Sequence, residues 1–572
     1  MSETSVFFGH TVSSGAALGP VFLMQTETHS LSLGTYCAGS KEDEWKKVES
    51  AFTVALADLG RLEKLVREEM GAEKAEIFSA HKMIVEDPEA SEQIKAQIFE
   101  EDKNALEATQ FVFDLFVEQF SGLDDEYLRE RALDVKDVKG RLLAILAGTN
   151  ETNRGPLVPS IVVAQDITPS EFASFDKKML LGIATELGGA TSHTAIMARI
   201  YNIPALVGVK GVVEKAQSGE PAALDTQSKS IVLKPDPKTV EKTQSQIRLI
   251  IEEKKELAKL KDVKPVTRDG IKINLKANMG RTSDLDAILA AGAEGVGLFR
   301  TEFLFLEKQS PPSEQEQFEV YKKVLSQVAP HTAIIRTLDV GGDKQIPYLN
   351  IPKEDNPFLG LRAIRYCLEE KTIFKTQLRA LLRASQYGSL SIMFPMIATY
   401  EEVLACKQVV KECKQELISE GVQVAPYKVG IMIEIPSAAV IADQLATQVD
   451  FFSIGTNDLI QYVCAADRMN ESVAHLYQPL NPAVLRLLKF VFEAAEKNHI
   501  LVSMCGEMAS DRALIPLLVG MGLRDFSQSP SAILKCKKEI LTMDVKKLTE
   551  SANQILKLRS LEEISKAVAA FR

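Results

Sequence analysis

The chain has 572 residues, enough for several domains with cores of their own, and its 45% hydrophobic against 25% charged residues is the balance of a globular protein that folds in water. With 67 basic and 78 acidic residues the net charge is −11, which argues against a reader of phosphate backbones and is compatible with a basic protein partner. Seven cysteines without CxxC spacing exclude a disulfide framework and a structural zinc site; with no basic leader and no apolar run long enough for a bilayer, the expectation is a cytoplasmic protein with no nucleic acid and no membrane insertion.

Residues 1 to about 30 read as strands and turns, broken at Ser13-Ser14-Gly15, with a short apolar strand at 21–24. From Lys41 the pattern turns helical: Trp45, Val48, Phe52, Leu56, Leu59, Leu62 and Val66 recur every three or four residues, and further helical stretches run near 72–87, 89–120 and 126–147. Such a block between strand-rich segments predicts a helical domain, 36–147, inserted into an α/β domain made of 1–35 and 148–237. In that α/β domain 160–164 is a strand, Thr168 with Pro169 starts a helix, and 181–185 is a second strand.

The second strand leads into Gly188-Gly189-Ala190-Thr191-Ser192-His193. Two glycines end a turn, and Thr191 or Ser192 can cap a helix. His193 then sits in the first turn, where the positive end of the macrodipole keeps the imidazole neutral and welcomes an anion. From spacing alone two readings stand side by side: a phosphoryl-accepting nucleophile, or a histidine bonded to its cap. Residues 238–264 read as a charged linker helix with a sparse apolar stripe, a lever on which a rigid domain can swing.

From 265 to 572 short apolar strands alternate with helical segments, at 272–278, 295–299, 333–338, 391–396, 429–435, 451–454, 501–504 and 525–527. Eight such units over about 300 residues predict a (β/α)₈ barrel, a TIM barrel. Its polar residues gather just past the strand ends, where barrel sites form: Arg300-Thr301-Glu302, Arg336, Asp339, Gly341-Gly342-Asp343-Lys344, Glu434, Gly455-Thr456-Asn457-Asp458, Arg468 and Met504-Cys505-Gly506-Glu507. Arginine forks suit phosphate and carboxylate oxygens, two carboxylates on neighbouring strands suit Mg²⁺, and the N–H groups of Asn457 and Asp458 suit a phosphoryl oxygen. Cys505 alone is as readily an inert buried thiol.

Segment 188–199, followed by Ile203-Pro204-Ala205-Leu206-Val207-Gly208, resembles the phosphohistidine segment of the phosphoenolpyruvate-utilising enzymes, which include pyruvate phosphate dikinase, phosphoenolpyruvate synthase and the Enzyme I proteins of the bacterial sugar phosphotransferase system. Segments 297–305, 339–344, 356–360, 450–459 and 504–507 resemble Enzyme I signatures, so the resemblance covers nearly the whole chain. It implies that His193 takes the phosphoryl group of phosphoenolpyruvate and hands it to a histidine of the small basic carrier HPr, releasing pyruvate. It further implies that Arg300, Arg336, Arg468, Asn457 and Asp458 bind phosphoenolpyruvate, that Glu434 and Asp458 bind Mg²⁺, that Cys505 gives or takes the proton at carbon, and that Arg362 orients the substrate. Thr168 would lie close to the phosphohistidine. HPr would dock around 72–87, with Glu73, Lys74, Asp87 and Arg131 at or near the contact, and the protein would be a homodimer through its barrel.

The departures are Ser14 for a proline, Ala190 for an arginine and Ile460 for a threonine. A dikinase or synthase would need a nucleotide-binding domain ahead of His193, where the chain is mostly helical and has no Gly-rich phosphate loop. A non-catalytic regulatory scaffold is the other alternative, and the set of His193, Cys505, Glu434 and Asp458 speaks against it.

Overall fold

Strands and helices form where the two periodicities place them, in a computed structural model that describes residues 4–24, 40–70, 72–121, 126–148, 155–189, 192–306, 308–342, 346–468 and 470–570. The chain divides into two units, Met1–Glu253 and Lys254–Arg572.

In the first unit β1 (Ser5–Phe8), β2 (His10–Ser13), β3 (Ala16–Leu23), β4 (Ser160–Ala164), β5 (Leu180–Thr185), β6 (Ala205–Val207), β7 (Pro221–Asp225) and β8 (Ser230–Leu233) make one sheet, ordered β1-β8-β7-β3-β4-β5-β6-β2. β3, β4, β5 and β6 pair in parallel, while β1, β2, β7 and β8 pair antiparallel. All of β4 is buried, as expected of a parallel strand covered on both faces.

Between β3 and β4 run the helices Lys41–Met70, Ala72–Val85, Pro88–Phe99, Ala105–Ser121 and Glu126–Leu146. Val48, Leu59, Phe78, Ile94, Val112 and Leu142 bury their apolar stripes in a core that continues into Val162, Phe172 and Ile183 beside the sheet. The helical stretch expected over 89–120 is two helices. Asp102 adopts a left-handed backbone (φ 55°), and Asn104 Oδ1 accepts the Glu107 N–H at 2.8 Å, starting a new helix. The charged linker forms the helix Pro237–Lys259.

In the second unit β9 (Asn274–Met279), β10 (Val296–Arg300), β11 (Thr332–Arg336), β12 (Ser389–Phe394), β13 (Tyr427–Ile433), β14 (Phe451–Ile454), β15 (Leu501–Met504) and β16 (Asp525–Gln528) close a parallel barrel in chain order, β16 returning to β9. Inside it Leu298, Ile334, Met393, Met432, Phe451 and Cys505 pack as an apolar plug. Lys276 and Asp525 pair at 2.6 Å between β9 and β16. Arg379 ties three outer helices (Glu314–Val328, Lys371–Ala384, Tyr400–Ser419) by reaching Glu314 at 2.6 Å, Glu416 at 3.3 Å and, just past the third helix, Glu420 at 2.7 Å. Among the described residues no helix is long and apolar enough to cross a membrane.

Candidate active site

Parallel barrels present their polar residues where the strands end, because the loops there are free of the ladder. Arg336, the last residue of β11, donates from NH2 to Glu302 Oε1 at 2.7 Å and lies 2.9 Å from Asp339 Oδ2 through NH1. Arg362 straddles two carboxylates: Nε meets Asp339 Oδ1 at 3.0 Å, NH2 meets Asp339 Oδ2 at 3.3 Å, and NH1 and NH2 each meet an Asp458 oxygen at 3.3 Å. Glu434 follows β13, and its Oε1 accepts the Met396 N–H at 2.6 Å. Met396 (φ 57°) and Ala363 (φ 54°) both hold left-handed backbone beside these groups, a strain typical of functional sites. Among the described residues Glu434 Oε2 is buried with no hydrogen-bond partner.

Two glycines of the signatures, Gly455 and Gly506, are required by close approach. A Cβ on Gly455 would stand 2.8 Å from Glu434 Oε2, and one on Gly506 would run into Thr456, 2.7 Å from its backbone nitrogen. Asn457 Oδ1 accepts the Glu507 N–H at 2.9 Å, Tyr477 OH donates to the Asn457 carbonyl at 3.2 Å, and the Arg468 N–H donates to Gln461 Oε1 at 3.2 Å. Arg300 ends β10 exposed, and a cleft of about 300 Å³ lined by Asn457, Tyr477 and Glu507 opens beside these residues.

Burial alone would disfavour both buried guanidinium ions. Glu302 and Asp339 around Arg336, and Asp339 and Asp458 around Arg362, more than offset it, so both stay firmly charged. Burial, then the Asp458 and Asp339 carboxylates, push Glu434 up to about 8. Asp339 therefore holds two buried cations at once. Asp339→Ala leaves both short of a partner and is expected to destabilise the barrel by about 3–5 kcal/mol, the usual cost of breaking a buried ion pair. Chemical denaturation of the full chain measures it, and a loss under about 1 kcal/mol would show that the two arginines find other partners.

Cys505 caps the plug at the end of β15. Ser453 Oγ donates to its Sγ at 3.5 Å, and Sγ donates to the Ile454 carbonyl at 3.5 Å. Burial pushes the thiol up, against the Ser453 hydrogen bond, Arg336 and Arg300, which pull it down. The group is thus a protonated thiol at neutral pH rather than a thiolate.

In the first unit, Thr168 and Ser192 stand after the carboxyl ends of the neighbouring parallel strands β4 and β5, where open α/β sheets bind ligands. Thr168 Oγ1 and Glu171 form a capping box. Ser192 caps the helix His193–Ile200, accepting the Ala195 N–H at 3.3 Å, so His193 is its first residue. The Thr194 hydroxyl donates to the Ile167 carbonyl at 3.0 Å and fastens the start of this helix to the Thr168 turn. Thr191 and Ala190 lie outside the described residues.

Within the helices, His81 is 1% exposed, its Nε2 3.2 Å from Asp134 Oδ1 and its Nδ1 3.8 Å from Asp137 Oδ2, and is a packed interior histidine. Asp87 caps the helix Pro88–Phe99 by accepting the Glu89 N–H at 2.8 Å. The side chains of Glu73, Lys74 and Arg131 lie outside the described residues.

Three family models match the chain: the PEP-binding domain of PEP-utilising enzymes over residues 254–545, their N-terminal domain over 8–131 and their mobile domain over 157–229. The chain belongs to the PEP-utilising enzyme family. The phosphoenolpyruvate-protein phosphotransferase of Priestia megaterium is 46% identical over 558 residues, 97% of each chain. That of Bacillus subtilis (strain 168) is 43% identical, covering 97% of this chain and 98% of its own. An NMR solution structure of Enzyme I is 35% identical and covers 43% of this chain and 99% of its own, with a TM-score of 0.35.

In this PEP-utilising enzyme Arg336, Arg362, Glu434 and Asp458 come together with Glu302 and Asp339 in one charged cluster; Arg300 and Cys505 stand at or just past strand ends, Asn457 in the first turn of the helix Thr456–Cys464 that follows β14, and Arg468 beyond the end of that helix. Sequence reasoning placed Glu302 and Asp339 on the rim without a task; the structure gives them the task of holding arginines. It passed over Tyr462, whose hydroxyl accepts from Arg362 NH1 at 3.3 Å, and Ser453, whose only signal was a polar residue inside an apolar strand.

Proposed function

We propose that this enzyme takes the phosphoryl group of phosphoenolpyruvate onto His193 and passes it to a histidine of HPr, releasing pyruvate. The observation that carries the reading is the gathering of arginines, carboxylates and one protonated thiol at a single barrel mouth, in a chain whose relatives over nearly its full length bear the name phosphoenolpyruvate-protein phosphotransferase. A small ester with one phosphate and one carboxylate matches that set. Arg300, Arg336 and Arg468, with Asn457 and the N–H groups around Asp458, bind its oxygens, and Arg362 keeps Asp458 in register.

Mg²⁺ fits the carboxylates present. Glu434 offers a buried oxygen that has no partner among the described residues, beside Asp458, and a site of two carboxylates shared with substrate phosphate is usual for this ion. Among the described residues there is no cluster of three or more side chains that would make a dedicated metal cage. When bound, the ion supplies positive charge to the phosphoryl oxygens.

His193 is the first residue of the helix capped by Ser192, and it is the residue we assign to attack phosphorus. The P–O bond to the enol oxygen breaks and leaves the enolate of pyruvate. Cys505 Sγ–H gives its proton to the terminal carbon, the electron pair of the S–H bond stays on sulfur, and the enolate oxygen becomes the ketone. The helical segment 41–146 of an acidic chain is the surface we assign to the basic carrier.

Labelled phosphoenolpyruvate with Mg²⁺ tests the reading. The protein is expected to take up label with release of an equal amount of pyruvate and to lose it when HPr is added. Label that stays on the protein with HPr present, or that appears only with ATP, would move the enzyme to the dikinase branch.

A further inference from the structure

Ser453 on β14 lies outside the groups used above. It is fully buried, and its neighbour two residues back, Phe451, belongs to the plug, so Ser453 shares the strand face that looks into the barrel. Among the described residues its hydroxyl has one partner, the Cys505 sulfur at 3.5 Å. The sulfur therefore stands between a donor, Ser453 O–H, and an acceptor, the Ile454 carbonyl at 3.5 Å. Around them are Leu298, Ile334, Met393, Met432 and Phe451, which offer a negative sulfur nothing. The backbone carbonyl of Cys505 is held in turn by Asn278 Nδ2 at 3.2 Å, and Asn278 Oδ1 accepts from Ser527 at 2.6 Å, so the residue that carries the thiol is braced from β9 and β16.

We propose that Ser453 is a positioning residue for the proton transfer: its hydroxyl holds the Cys505 sulfur and carries the thiolate formed when the proton leaves for carbon. The inference rests on Cys505 being the acid of the reaction. In the resting thiol the Ser453 hydrogen bond joins two neutral groups. Once the S–H bond breaks, its electron pair remains on sulfur, the bond to the Ile454 carbonyl is lost, and the bond from Ser453 becomes charge-assisted and stronger. An interaction that strengthens along the reaction speeds it. The charged groups facing the sulfur are Arg300 at the end of β10, Arg336 at the end of β11 and Glu434 after β13; β14 contributes the uncharged Ser453. Arg336 is paired with Glu302 and Asp339, and Arg300 is the residue assigned above to substrate, which leaves the serine hydroxyl as the dedicated donor to sulfur. Solvent returns the proton after pyruvate leaves.

The test compares wild type with S453A and S453C in the full chain, under reducing conditions. Three measurements are made: pyruvate formation with HPr, deuterium incorporation into the methyl group of pyruvate in D₂O, and alkylation of Cys505 against pH, read by mass spectrometry of its own peptide. S453A is expected to lower pyruvate formation and deuterium incorporation roughly tenfold, the difference between a charged and a neutral hydrogen bond. It is also expected to move the Cys505 alkylation curve to higher pH, a shift that lost packing alone would not cause. S453C, whose S–H is a weak donor, is expected to fall between. Phosphoryl exchange between His193 and phospho-HPr involves no carbon and serves as the internal reference. An S453A enzyme with the wild-type alkylation curve and the wild-type pyruvate rate overturns the role of Ser453. If S453A does not fold, S453C decides in the same way, wild-type behaviour overturning the role and intermediate behaviour supporting it. A wild type that forms no pyruvate from phosphoenolpyruvate overturns the assigned reaction and this role with it; a normal wild type beside an unchanged variant overturns only the role.

Discussion

His193→Ala is expected to take up no phosphoryl group from phosphoenolpyruvate and to bind it as wild type does. The residue opens the helix His193–Ile200, in the first unit, whereas Arg336, Arg362, Glu434 and Asp458 belong to the second. The substitution removes the proposed nucleophile and changes no residue of the barrel cluster. Alanine is also a good helix former, and the cap is the side chain of Ser192, so the helix start survives the change. Equilibrium binding of phosphoenolpyruvate with Mg²⁺, beside acid-labile label on the protein, separates the two effects. Label retained by the variant would place the phosphoryl group on another residue.

Cys505→Ser is the complementary loss. A hydroxyl of similar size fills the place between Ser453 and the Ile454 carbonyl, so binding at the mouth should change little. A serine hydroxyl is a far weaker acid than a thiol, and pyruvate formation is expected to fall by roughly the 10²–10⁴-fold that a positioned acid contributes. Exchange of the phosphoryl group between His193 and HPr should continue at the wild-type rate. Pyruvate formed by the variant at the wild-type rate would assign the proton to another donor and leave the thiol a packing role.

The barrel was legible because every strand is short, apolar and followed by helical periodicity; all eight expected segments overlap the observed strands, with ends displaced by a residue or two, as for Ser389–Phe394 against 391–396. What periodicity cannot carry is a backbone event. The interruption between Phe99 and Ala105 depends on a left-handed Asp102 and an Asn104 cap inside an otherwise helical composition. The sheet order was likewise hidden, since β3 pairs with β4 across the whole helical insert. In the site, residue types at strand ends announced a phosphate ester, but which carboxylate serves which arginine is a matter of reach. Asp339 and Glu302 read as two more acids until the Arg336 and Arg362 forks are seen to close on them.

The thiol-capped plug has a consequence for the enzyme's survival under oxidants. Peroxides attack thiolates, and a sulfur whose burial favours the protonated form gives them little to attack. Met393 and Met432 pack in the same plug, nearly or wholly out of reach of solvent. An idle enzyme is thus shielded at three sulfurs together, whereas in the proposed mechanism each turnover would leave one of them an anion until water returns the proton. Oxidative inactivation should therefore follow how hard the enzyme is working rather than how long it has stood in peroxide.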